Sequence, residues 1–378
     1  MSRFTVGYRI FAASRDAAAE RAANIALEQT VEVPRDVVPP GYVESEILGR
    51  VEALVEEGQD QFLANISYSP DSVGDALPQL LNVVFGNSSI LKGIKVVSLE
   101  LGPALAARFP GARFGIDGVR ARARRPRGGL ICPVIKPQGC DAGTLADVAY
   151  RCALAGADVI KDDHGLADQR MAPFRERCER ISAAVARANR ETGGSCLYMP
   201  NLAGRSEDLP EFARHAKQCG AGGVLVIPGL FGFDLIRCLA ADDSLDLPIM
   251  AHPSFLGSWV LADDFGFTHA MTFGTLMRLA GADISIFPNV GGRFGFSAAE
   301  CQSIALECQR EAGIGRPIFP SPGGGMSVER AGDMLRMYGE DAVFLLGGSL
   351  LRAKERIGEA ISAMRAALDD SAAQLIRA

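Results

Sequence analysis

The stretch GLICPVIKPQGCDAGTLADVAYRCALAGADVIKDDH, residues 129–164, reads as a strand, a helix and a second strand. The apolar run Leu130–Ile135 stops at Lys136-Pro137, an amphipathic helix-length segment covers 142–155, and a second run over 158–161 opens into Asp162-Asp163-His164. Unbroken apolar runs belong to strands buried on both faces, as in a parallel sheet covered by helices. Further runs follow at 196–199, 223–227, 248–251, 283–287, 317–319 and 342–346. Helical stretches such as 173–190, 298–312 and 351–368 lie among them or after the last. Eight such units in about 250 residues predict a TIM (β/α)8 barrel. A doubly wound open sheet is the alternative, disfavoured because no GxGxxG follows the first run.

Upstream the pattern changes. A strand-like Phe4–Phe11, an Ala/Glu-rich helix over 14–27, a second helix over 45–57 and a strand over 62–68 give an α+β arrangement. The run RARARRPRGG, residues 120–129, reads as a solvated connector. The chain therefore divides into an α+β domain over 1–125 and a barrel over 126–378.

Composition narrows the partners. The 378 residues are 48% hydrophobic and 22% charged, suited to a soluble protein with a large core. A formal net charge of -6 gives no electrostatic case for nucleic acid or an anionic membrane. The longest apolar run, 224–233, is broken by Pro228, Gly229 and Gly232, and the N-terminus carries no secretory signal pattern. Nine scattered cysteines without a CxxC suggest reduced thiols in a cytoplasmic protein, not a disulfide framework or zinc site.

In a barrel the chemistry belongs at the C-terminal ends of the strands. There stand Lys136, the Lys161–His164 cluster, Pro200-Asn201, His252, the loop 289–293 ending in Arg293, Gly323 to Gly325, and Gly347-Gly348. Only six of 39 basic residues are lysines, so lysines ending apolar runs invite a chemical explanation. Alternation turns two of the four KDDH side chains toward the barrel axis and two away. The cluster suits either a salt-bridge knot or a metal and acid/base site. Lys136 and Lys161 converging on one mouth would lower each other's pKa and favour a base role. Glycines after adjacent strands 7 and 8 place bare backbone N–H groups where barrels bind phosphate. The 289–293 loop suits a lid carrying the Arg293 cation or a plain turn. His215 and His269 fall in helical stretches and read as structural.

These motifs resemble the ribulose-1,5-bisphosphate carboxylase superfamily, and specifically its RuBisCO-like proteins. ICPVIKPQG and GADVIKDDHGLADQRMAPFRER carry the likeness, with ALEQT (residues 26–30) and FGN (residues 85–87) upstream and the three glycine-bearing loops downstream. The resemblance implies a ferredoxin-like amino domain and a homodimer whose active sites each borrow the neighbour's amino domain. It implies that Lys161 becomes carbamylated and, with Asp163 and residue 164, binds Mg²⁺. Lys136 would be the strand-1 acid/base and His252 the strand-5 histidine. Glu28 and Asn87 would act across the dimer, and Arg293 stands at the lid-lysine position. Gly323, Gly324, Gly347 and Gly348, with Thr30 nearby, would form a phosphate site.

The departures from the carboxylases shape the expected chemistry. His164 replaces the third metal ligand, a glutamate, which weakens Mg²⁺, favours a softer metal or leaves no metal. Gln138 replaces the second lysine of the strand-1 motif. Pro253, Ile286 and Pro322 occupy the positions of the second phosphate site, so the expected substrate is a sugar monophosphate and CO₂ fixation is excluded. The expected reaction is enolisation next to a ketone, as in isomerisation of 5-methylthioribulose 1-phosphate. The alternatives are a decarboxylase of a 3-oxo acid sugar phosphate, a diketo-methylthiopentyl phosphate enolase, and a non-catalytic phosphate-ligand-binding protein.

Overall fold

Residues 2–377 are described by a computed structural model. The amino-terminal part is a βαββαβ unit: β1 (Phe4–Phe11), α1 (Arg15–Glu28), β2 (Arg50–Gly58), β3 (Gln61–Tyr68), α2 (Leu77–Phe85) and β4 (Ile94–Glu100). Its antiparallel strands run in the order β4-β1-β3-β2, the ferredoxin-like arrangement. Ser14 caps α1 by accepting from the Ala17 amide, and α1 buries Ala18, Ala22 and Ile25 against the sheet. The helix expected over 45–57 is a strand from Arg50 onward. Pairing with β3 along most of β2 overrides the helix propensity of its glutamates, which lie on an exposed edge.

Two helices, α3 (Gly102–Arg108) and α4 (Gly115–Ala123), lead into the barrel. Its first half comprises β5 (Leu130–Ile135), α5 (Ala142–Leu154), β6 (Val159–Asp162), α6 (Phe174–Thr192), β7 (Leu197–Met199), α7 (Leu209–Gln218), β8 (Val224–Val226), and the pair α8 (Pro228–Phe231) and α9 (Phe233–Ala241). The second comprises β9 (Ile249–Ala251), α10 (Gly257–Val260), β10 (Gly266–Phe267), α11 (Met277–Ala280), β11 (Ile284–Pro288), α12 (Ala298–Gln309), β12 (Phe319–Gly323), α13 (Ala331–Tyr338), β13 (Val343–Leu346), α14 (Gly348–Leu351) and α15 (Ile357–Arg377). The eight parallel strands run β7-β6-β5-β13-β12-β11-β9-β8. A bridge between Asn201 and Leu225 joins the two ends and closes the barrel. Inward side chains such as Cys132, Met199, Met250, Ile286 and Phe319 fill the interior.

The arginine-rich run is not simply a solvated connector. Arg120 lies within α4, is 8% exposed, bonds the Asp341 carboxylate and the Glu340, Arg125 and Gly128 carbonyls, and stacks on Phe319. Val119 and Ala123 of the same helix close the floor of the barrel. Below β11, Asp283 accepts hydrogen bonds from the amides of Phe114, Gly115 and Ile249, each at 2.8 Å, pinning α4 to the strands. Burial pushes the Asp283 carboxyl up to about 6 even though those three amides favour its charged form.

One strand crosses between the two parts. β10, from the segment after β9, pairs in parallel with β4 through Gly266–Lys95 and Phe267–Val96, extending the amino-terminal sheet to five strands. Among the described residues no helix is long and apolar enough to cross a membrane.

Candidate active site

The mouth of the barrel gathers the lysines and their partners. Lys161, on β6, is 1% exposed, and its amine donates to the Asp162 carbonyl at 2.7 Å. Burial lowers its pKa, opposed by the nearby Cys132, Asp163 and Asp162 and reinforced by Lys136. Lys136 follows β5, and its Nζ stands 3.7 Å from Asp163 Oδ1. The Asp163 amide is itself held by the Ile135 carbonyl, so register between β5 and β6 fixes this pair. Burial works against ionising Asp163, but the hydrogen bond from His164 and the charges of Lys161 and Lys136 win, holding it well below the usual carboxylate range.

Alternation along KDDH holds for three of its four residues. Asp162 turns outward and is fully buried, gripped by Arg177 Nε at 2.9 Å, the Tyr198 hydroxyl at 2.9 Å and the Asn201 amide at 3.1 Å. His164 departs from strict alternation, because β6 ends at Asp162 and the chain bends back over the mouth, bringing His164 Nδ1 to 3.5 Å from Asp163 Oδ1. Its ring stacks on His252 with centroids 4.3 Å apart and planes inclined by 16°. His252, just past β9, accepts from the Ser254 amide at Nδ1. Burial, then the charges of Lys161 and His164, push its pKa well below the ordinary histidine value.

The glycine loops lie alongside. A Cβ placed on Gly347 would sit 3.9 Å from Lys136 Nζ, so the glycine turn opening α14 faces the lysine. Gly323 ends β12 in register with Leu345, and Gly324 and Gly325 follow in left-handed conformations with φ of 97° and 64°. Gly325 needs its missing side chain, since a Cβ there would meet Arg330 Nη1 at 2.8 Å and the Gly291 carbonyl at 3.1 Å. Arg330 donates to the carbonyls of Gly325 and Val290, tying the strand-7 loop to the strand-6 loop. Buried Asn289 repeats the tie through the Gly324 carbonyl while accepting from the Tyr338 hydroxyl. Arg330, Asn289 and Arg177 were not singled out from sequence. Each acts through tertiary contacts with backbone carbonyls or an outward carboxylate, which no local pattern encodes.

Arg293 is exposed and lies over Phe294, 5.2 Å from its ring centroid, at the tip of the strand-6 loop. Ile286, at a second-phosphate-site position, is packed into the barrel interior. Glu28, Thr30 and Asn87 find their partners in the amino-terminal part. Asn87 donates to Glu28 at 2.8 Å and Glu32 at 3.1 Å, and Thr30 bonds the Ala26 carbonyl and the Gly49 amide. Among the described residues, the hydrogen bonds of these three side chains stay within the amino-terminal part.

The donor set at the mouth suits a divalent cation. An ionised carboxylate, an amine disposed to its neutral form, and an imidazole offer mixed oxygen and nitrogen ligands, which fit such an ion, with the nitrogen favouring one softer than Mg²⁺.

Comparison with known proteins places this geometry. Residues 115–294 match the family model described as ribulose bisphosphate carboxylase large chain, catalytic domain. A ribulose bisphosphate carboxylase-like protein 1 of Rhodopseudomonas palustris is 38% identical over 360 residues, covering 94% of this chain and 95% of that one. A 5-methylthioribulose-1-phosphate isomerase of Rhodospirillum rubrum is 37% identical over 374 residues, 98% of each chain. The crystal structure of a Rubisco-like protein from Rhodopseudomonas palustris superposes with a TM-score of 0.86 at 33% identity over 98% of both chains. Carrying the paired lysines and KDD cluster on a barrel behind a βαββαβ domain, the chain belongs to the ribulose bisphosphate carboxylase large-chain family, as one of its RuBisCO-like, form IV members.

Proposed function

We propose that this protein is an enolising isomerase of a sugar monophosphate, acting on 5-methylthioribulose 1-phosphate. The observation that carries the reading is the placement of Lys136, set between Asp163 and the Gly347 turn. A phosphate seated on the Gly323–Gly325 and Gly347-Gly348 amides would bring the adjoining carbons of the sugar to the lysine amine. The full-length likeness to a protein named for that isomerisation supports the same substrate.

In this reading Lys136 Nζ takes the proton from the hydroxyl-bearing carbon beside the ketone and returns it to the former carbonyl carbon, while the hydroxyl proton passes between the two oxygens of the enediolate, so the carbonyl moves along the chain and no atom is lost. Asp163, held ionised, orients the Lys136 amine between the two transfers. Buried Lys161 and the His164–His252 pair line the side where negative charge develops on oxygen. A divalent cation held by Asp163, His164 and a carbamylated Lys161 would supply further stabilisation of that oxyanion. Glu28 and Asn87, bonded to each other within the amino-terminal part, would complete the mouth of a neighbouring subunit in a homodimer.

The test is incubation with 5-methylthioribulose 1-phosphate in D₂O, followed by NMR. Deuterium uptake next to the carbonyl together with new ketose signals is the expected result. Loss of CO₂ from a 3-oxo acid sugar phosphate instead, or bound ligand with no exchange at all, would overturn it.

A further inference from the structure

His215 has been treated so far as part of a helix, and the cysteines as inert thiols. The structure brings them together on the outer wall of the barrel, where α6 and α7 run side by side. His215 Nε2, on α7, stands 3.5 Å from Glu179 Oε1 on α6 and 3.4 Å from the sulfur of Cys219, the residue that ends α7. All three donor atoms lie within 4.8 Å of one another. Zinc bonds of about 2.0–2.2 Å to nitrogen or oxygen and about 2.3 Å to sulfur place neighbouring tetrahedral donors roughly 3.3–3.6 Å apart. The two measured separations from His215 fall in that interval. Cys178, fully buried next to Glu179 in the chain, lies within hydrogen-bond reach of the Cys219 thiol but outside this cluster of three donor atoms.

We propose that Glu179, His215 and Cys219, with solvent water as the fourth ligand, form a zinc-type metal site that staples α6 to α7. The pattern is invisible to a search for CxxC because the ligands come from two helices, one from α6 and two from α7, His215 and Cys219 one turn apart on the second. Burial favours the protonated Cys219 thiol in the metal-free protein, so uptake of the ion releases its proton to solvent. Arg175 now donates to His215 Nδ1 at 3.3 Å and also pairs with Glu211. With metal on Nε2 the ring proton sits on Nδ1, and Arg175 turns wholly to Glu211. The site adjoins the catalytic scaffold, since Arg177, two residues before Glu179, is the guanidinium that grips Asp162 beside Lys161.

Cobalt(II) is the probe, because a thiolate ligand gives it a charge-transfer band that the oxygen and nitrogen donors of the barrel mouth do not. Full-length protein freed of metal with a chelator and titrated with Co²⁺ is expected to show tetrahedral d–d bands and thiolate charge transfer at one equivalent per chain. Cys219→Ser abolishes the charge-transfer band, His215→Gln weakens it, and Asp163→Asn leaves it unchanged. Zn²⁺ displaces the colour and raises Tm by on the order of 2–5 °C in the parent but not in Cys219→Ser. Absence of a thiolate band, or its persistence in Cys219→Ser with exposed Cys238 as the source, overturns the proposal. Cys219→Ala gives the same reading should Cys219→Ser fail to fold. The proposal is independent of the isomerase reading, which these bands do not test.

Discussion

Lys136 and Lys161 have the same side chain on neighbouring strands, and their surroundings separate them. Lys161 is sealed in, its amine committed to a backbone carbonyl, whereas Lys136 reaches the open mouth beside the glycine turn. Replacing Lys136 with Met should cut kcat by ~10²–10⁴ while leaving binding of the sugar phosphate within a few-fold, as read by steady-state kinetics and calorimetry. His164 tests the metal preference in the same way. In the parent protein Mn²⁺ should bind more tightly than Mg²⁺, and His164→Glu should narrow that difference by restoring an oxygen donor, as read by direct metal titration. At this scale the sequence was informative wherever chemistry sits at a strand end. Lys136, Lys161, Asp163, His164 and His252 were all legible, and they do converge. The ring stacking of His164 on His252 was not, because it depends on where β6 stops.

The barrel units were legible because a strand buried on both faces leaves an unbroken apolar run. The edge strand β2 was not, since three glutamates on a solvent-facing edge imitate a helix surface and only pairing with β3 decides the matter. The α4 segment misleads for the opposite reason: an arginine run looks solvated until Arg120 finds Asp341 and Phe319. The clamp by Arg330 across the strand-6 and strand-7 loops has a functional consequence. Arg330→Ala should raise KM for the phosphate substrate about tenfold with a smaller change in kcat, the loss expected for two charge-assisted hydrogen bonds. Asp283, under β11, gives a pH dependence. Its pKa is higher in the folded than in the unfolded chain, so its contribution to stability is fully present below about pH 4 and is lost as pH rises through about 6. That amounts to about 3 kcal/mol, and Asp283→Asn should flatten this slope while lowering stability at pH 5, as measured by urea unfolding across the range.

For the whole molecule, the proposed reading makes the site a shared one, with Glu28, Thr30 and Asn87, whose hydrogen bonds stay within the amino-terminal part, serving the neighbouring chain. Two inactive chains, Lys136→Met and Asn87→Ala, should therefore regain activity when co-expressed, because a mixed dimer contains one intact site. Each variant alone, and the two mixed after folding without subunit exchange, should stay inactive. The assembly can be sized by light scattering in the same preparations. The strand that the segment after β9 lends to the amino-terminal sheet sets a limit on dissection. During synthesis the chain completes β4 long before residues 266 and 267 emerge, so for that interval the sheet presents bare amides and carbonyls along one side. A fragment ending at residue 125 would keep that side open permanently, making it a template for pairing with its own copies. The two parts of this protein are thus joined in the order of their manufacture as well as in space, and the first is finished only when most of the second has been made.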